Sequence, residues 1–166
     1  MKLLHHTEID LLAFFLTGKF DGIVPGQSTE WIEANFADPD HKSDMGGGIC
    51  IWNWGAIEFH FDRDMLYLIW CDRLKYVADC PALDVRRGWL ERPSQLSLRW
   101  VVAQLNQQRA DYRVIHDVKL GSVQLRVLAS GVEFHFEPTN TQDDGTPSDR
   151  WRMQGFGLSH PDYRRP

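Results

Sequence analysis

Basic residues are in the minority in this chain: 18 Lys and Arg stand against 23 Asp and Glu, leaving a formal charge of −5. A general nucleic-acid binder carries a basic surface, so no nucleic-acid partner is expected. The same balance suits a basic protein partner, because complementary charge speeds encounter. Long apolar runs are scarce as well. Leu11 to Leu16 falls far short of the ~20 residues of a membrane span, and no small-residue cleavage site marks a signal peptide. The reading is a cytoplasmic protein with no membrane partner. Cysteine is sparse: Cys50, Cys71 and Cys80 are odd in number and match no zinc spacing. Reduced, partly buried thiols account for them simply. There is no Gly-x-Ser-x-Gly, no paired zincin histidines and no Rossmann glycine pattern, so neither an enzyme nor a cofactor is expected.

What the chain does hold is aromatic mass. Seven Trp, nine Phe and four Tyr among 166 residues are enough to build a real core in one domain. Thr7 reads as an N-cap for a helix carrying Ile9, Leu12, Ala13 and Leu16, with Gly18 to end it. Ser28 reads as the cap of a short helix with Trp31, Ile32 and Phe36, stopped at Asp38-Pro39-Asp40. His41 to Gly48 is polar, then glycine-rich, and is expected to be a mobile loop.

From Ile49 the hydrophobic period changes to two. Strands are predicted over Ile49 to Asn53, Ala56 to Phe61 and Leu66 to Cys71. Ile57, Phe59 and Phe61 share a core face, expected to lie beside Leu66, Leu68 and Trp70. Glu58 and His60 face the other way, near Tyr67 and Ile69. Connections with one short strand fill Asp72 to Pro93. A helix from Ser94 then presents Leu98, Val101, Val102 and Leu105 at helical spacing. A second run of strands follows over Tyr112 to Val118, Ser122 to Leu128 and Val132 to Glu137. Val132, Phe134 and Phe136 point inward, and Glu133, His135 and Glu137 point outward. Residues 1–137 therefore read as one α+β domain, with antiparallel meanders packed against two or three helices. Residues 138–166 read as a polar loop and a tail docked on that domain. Gly55-Ala-Ile-Glu-Phe-His-Phe echoes Gly131-Val-Glu-Phe-His-Phe. A duplicated helix-plus-meander unit would explain the echo, and so would the alternation any half-buried strand needs.

Two Glu-x-His pairs, Glu58/His60 and Glu133/His135, each put a carboxylate and an imidazole on one strand face. If the two meanders abut at these strands, the four groups could hold a divalent metal or serve a small enzyme. The alternative is two solvated sheet faces, and on that reading no metal is bound. His5 and His6 are adjacent and diverge on a helix, which makes a poor chelate. Asp38, Asp40 and Asp44 form an acidic cluster without the spacing of a calcium loop. Trp70 and Trp100 are assigned to the core, as are Trp52 and Cys50. Trp54, beside Gly55 at a turn, and Trp89 are expected to be exposed. Exposed Trp anchors interfaces.

The stretch from Gly48 to Phe61, with Trp54-Gly55-Ala-Ile-Glu-Phe-His-Phe, followed by Leu66-Tyr-Leu-Ile-Trp-Cys-Asp, resembles a pattern in small bacterial proteins. Some of these are similar to immunity proteins of polymorphic or contact-dependent toxin systems. The resemblance spans roughly residues 9 to 72, and Ala56 stands where relatives often carry Asp. It implies a cytoplasmic protein that binds and blocks a cognate toxin domain, and it transfers no catalytic residues. On that reading the contact residues are Asp38, Asp40 and Asp44 first, then Glu58, His60, Glu133 and His135, with Trp54 as apolar anchor.

Overall fold

The computed structural model describes residues 7–139 and 150–164. His5 and His6 and most of the polar segment before Arg150 lie outside the described residues.

The chain opens on a strand, β1 (Thr7–Asp10), and only then turns into α1 (Leu11–Thr17). The cap is Asp10, whose carboxylate accepts the Ala13 N–H at 3.0 Å, rather than Thr7. Residues 7–10 instead pair in parallel with a later strand. Gly18 ends the helix with φ of +73°, a left-handed conformation that suits glycine, and donates to the Phe14 carbonyl. Ser28 caps α2 (Thr29–Asn35) as its sequence predicts, accepting the Trp31 N–H at 3.1 Å.

A four-stranded meander follows: β2 (His41–Gly46), β3 (Ile49–Trp54), β4 (Ile57–Asp62) and β5 (Met65–Cys71). The strand expected in the next stretch is β6 (Leu83–Arg86), which pairs with β1. Then come α3 (Leu98–Gln107), capped by Ser97, and a second meander of β7 (Tyr112–Asp117), β8 (Ser122–Val127), β9 (Glu133–Pro138) and β10 (Trp151–Ser159). The order of elements thus runs twice through strand, helix and four-stranded meander. The two Glu-Phe-His-Phe segments occupy the third strand of each meander.

All eight meander strands form one antiparallel sheet in the order β2-β3-β4-β5-β10-β9-β8-β7. With the two-stranded parallel β1-β6 pair and three helices, this is the α+β fold expected. The helices supply the rings of the core. Phe15 packs edge-on against Phe134 at 4.9 Å and against Phe156 at 5.0 Å, while Phe20 meets Phe59 at 5.6 Å. Residues from both meanders are therefore sealed under one helical layer.

Two expectations fail here. Residues 150–159 are no docked tail: β10 is an inner strand, bonded to β5 on one side and β9 on the other. Its period-2 signal is blurred by Gly155 and Gly157 and by a register shift between Met153 and Gly155. His41–Gly46 is likewise an edge strand rather than a loop. An edge strand gains its order from backbone bonds to β3 and needs no apolar alternation of its own.

Candidate functional site

The face of the sheet opposite the helices is only half-buried along much of its length, and most of the polar residues singled out above lie on it. Its centre is set by a register shift. Phe61 pairs with Leu66 but His60 pairs with Leu68, so Tyr67 is an extra residue in β5. Beyond the shift the parity of β5 flips: Leu66, Ile69 and Cys71 point inward, whereas Leu68 and Trp70 lie on the open face. The expected core row of Leu66, Leu68 and Trp70 is corrected accordingly. Met65–Cys71 is apolar almost throughout, so alternation carries no sign of the flip.

Trp70 spreads over the neighbouring strand. A Cβ on Gly155 would lie 3.0 Å from the indole, and one on Gly157 would lie 2.8 Å from it. The ring also meets His135 edge-on at 4.9 Å. Only glycine leaves room for an indole at these two positions.

The Glu58/His60 and Glu133/His135 pairs share this face but do not converge. The meanders abut through β5 and β10, so β4 and β9 stand three inter-strand steps apart, about 14 Å. The Trp70 indole occupies the space between. Among the described residues no three His, Cys, Asp or Glu side chains gather to hold a metal. Each pair has local partners instead. His60 Nε2 lies 2.8 Å from Glu58 Oε2. Glu133, only 7% exposed, accepts from Arg126 Nε at 2.6 Å and from the Gln124 amide. Arg126 is thus opposite Glu133, and His135 is opposite Gln124. His60 also meets Tyr67 edge-on at 6.1 Å, and Tyr67 stacks on Tyr163 at 4.8 Å. The Tyr163 hydroxyl donates to Asp62 Oδ2 at 2.7 Å, and this bond holds the Tyr163 phenol above its usual pKa. Burial raises Tyr67 in the same direction. Between Trp70, His135, Glu133 and the β7–β8 turn lies an open pocket of about 650 Å³, with Arg164 on its rim.

The acidic segment sits apart, at the β2 edge. Asp38 is exposed. Asp40 Oδ2 accepts the Gly55 N–H at 2.6 Å, and Asp44 Oδ1 accepts the Gly46 N–H at 2.8 Å. Asp40 therefore staples the entry of β2 to the β3–β4 turn, a structural task the sequence reading did not foresee. Trp54 is overturned as a surface anchor. It is 0% exposed, packed against Phe59 at 4.4 Å, with its indole N–H on the Ala37 carbonyl at 3.1 Å. Its turn is covered: a Cβ on Gly55 would meet the Asp79 carbonyl at 3.0 Å and Cys80 at 3.2 Å. Trp89 is buried too, between Phe15 and Trp100.

Of the rings that line the open face, Tyr67 was expected beside Glu58 and His60, whereas Trp70 and Tyr163 escaped the sequence reading; Ile69, expected on the same face as Tyr67, is buried instead. The one available signal was the Gly155-Phe-Gly157 spacing, since glycine within a strand often marks a close approach. The thiols lie off this face or under it. Burial pushes Cys71 up to about 12, which keeps it protonated and unreactive near neutrality. No described helix is long and apolar enough to cross a membrane. Comparison with protein families, with characterised proteins and with solved structures finds no match for this chain.

Proposed function

We propose that this chain is a binding protein of the immunity type, which docks a basic bacterial toxin domain on the open face of its sheet and blocks it. The supporting observation is the composition of that face. Half-buried Tyr67 and Trp70 and exposed Tyr163 lie among Glu58, Asp62 and His135, beside a pocket able to take a protruding side chain. Aromatic rings held rigidly by their neighbours anchor partners at low entropic cost, and surrounding carboxylates favour a cationic surface. The chain's charge of −5 acts in the same direction over longer range. Inhibition would be steric and electrostatic, and needs no cofactor. Compared with the sequence reading, the anchor moves from Trp54 to Trp70. Glu58, His60 and His135 remain contact residues, Asp38 and Asp44 become an outlying acidic rim, and Glu133 and Asp40 serve mainly the fold.

The test is binding to the toxin domain encoded beside this gene, followed by surface-plasmon kinetics at two salt concentrations. Association slows as salt rises, because steering is screened beyond a Debye length of about 10 Å at 0.1 M salt. Trp70→Ala speeds dissociation, and Glu58→Lys with Asp44→Lys slows association several-fold. Binding that none of these variants changes would remove the open face from the proposal. A neighbouring toxin that does not bind at all would refute the immunity reading.

A further inference from the structure

Among the described residues no strand pairs with the outer edge of β7, and that edge is regular and complementary to itself. From this we infer that two copies of the chain join through antiparallel pairing of β7 with β7, which makes one continuous sheet across a two-fold axis. The inference rests on the geometry of β7 and is independent of the toxin-binding proposal.

The Leu128 N–H donates to the Asp111 carbonyl at 2.9 Å, so Asp111 and Leu128 form a hydrogen-bonded pair. Antiparallel pairs alternate. Arg113, Ile115 and Asp117 therefore direct their backbone groups to β8, and Tyr112, Val114 and His116 direct theirs to the free edge. The register with β8 has no irregularity. The opposite edge, β2, is unlike this. It carries a register shift between Asp44 and Gly46, and its Lys42 is drawn onto the Trp52 ring at 3.9 Å and to Glu33. Bulges and edge lysines are devices that discourage edge-to-edge pairing.

The side chains then choose the register. If Ile115 faces Ile115 of the second copy, Arg113 lies directly opposite Asp117, twice by symmetry. Val114 faces His116 through the outward backbone groups, so each hydrogen bond of the new ladder has its donor and its acceptor. Within its own chain Arg113 faces Arg126, a like charge, and that arginine's carboxylate, Glu133, lies on the far side of β8. Among the described residues no carboxylate lies within ion-pair distance of Arg113. Asp117 Oδ1 accepts the Lys119 and Leu120 N–H groups, each at 3.0 Å, leaving Oδ2 for an incoming guanidinium. Cross-strand pairs of opposite charge stabilise a ladder, and like charges destabilise it. A two-fold interface must be complementary to itself, a condition this register meets. Val118, 92% exposed on one chain, would come up beside Tyr112 of the other. The two open faces become one surface, with their pockets on either side of the axis.

Sedimentation of the full chain over a range of concentrations tests this. A monomer–dimer equilibrium is expected. Arg113→Asp alone, or Asp117→Lys alone, weakens association about tenfold or more, because two symmetry-related pairs turn repulsive. Mixing the two variants restores the dimer, since each repulsive contact becomes attractive in the heterodimer. Val114→Pro removes an outward N–H and abolishes the dimer, while far-UV circular dichroism stays that of the folded chain. A wild-type chain that stays monomeric overturns the inference. So does a dimer indifferent to both Arg113→Asp and Val114→Pro, or a mixture no tighter than its separate variants.

Discussion

Replacing Gly157 with alanine probes the feature on which the open face depends. Gly157 lies in ordinary extended backbone inside β10, so its glycine is required for space rather than for torsion. A Cβ there would stand 2.8 Å from the Trp70 ring and 2.8 Å from the Ile69 carbonyl. Both distances are too short, so the indole must lift and β5 must yield. An alanine in a tolerant site gains about 0.4–1 kcal/mol by restricting the unfolded chain. Overpacking costs about 1–3 kcal/mol. The net expectation is a loss of about 1–2 kcal/mol in urea unfolding, with a change in tryptophan fluorescence as the indole is displaced. A double-mutant cycle with Trp70→Ala separates the two clashes. With the indole gone the substitution keeps its clash with the carbonyl and a tight approach to Leu68 at 3.3 Å, so a coupling of about 1 kcal/mol is expected. A neutral or stabilising Gly157→Ala would refute the argument that the indole requires this glycine. So would strict additivity, within about 0.5 kcal/mol, of the two substitutions.

Two further outcomes follow from the assignment of faces and from burial. Phe59, fully buried against Trp54 and Phe36, costs about 3–5 kcal/mol when cut to alanine, whereas Glu58→Ala on the open face costs less than about 1 kcal/mol. Comparable losses in a urea series would mean the faces are misassigned. The Cys71 thiol, at 9.0 when unfolded and about 12 when folded, leaves stability intact below pH 9. Above that the unfolded chain gives up its proton first, so stability falls by about 1.4 kcal/mol per pH unit until the folded thiol also ionises. Urea midpoints measured up the alkaline limb show this slope. It is shallower in Cys71→Ala, and equal slopes in the two proteins would refute it.

Local chemistry alone decided a good part of this molecule. The α2 cap at Ser28, the left-handed stop at Gly18 and the inward row of Ile57, Phe59 and Phe61 all follow from interactions within a few residues. So does the outward placing of Glu58, His60, Glu133 and His135, because alternation along one strand needs no knowledge of the next. By contrast, α3 begins after a Ser97 cap rather than at Ser94 as the sequence suggested. What the neighbours decide was not legible. The parity of β5 turns on one extra residue, Tyr67, within a stretch whose residues are nearly all apolar, and only pairing with β4 reveals it. The burial of Trp54 depended on β3 running on past Asn53 and on Phe36 and Phe59, whose rings pack against its indole. The role of residues 151–159 depended on β5 and β9 together: a strand interrupted by glycines reads as irregular until the Trp70 indole that fills the gap is in place. Burial, register and convergence are properties of pairs of distant segments, and hydrophobic period describes one segment at a time. That is why the polar residues of the open face could be named from the chain alone, while the distance between the two Glu-x-His pairs, and the ring that separates them, were settled only by the order of strands in the sheet.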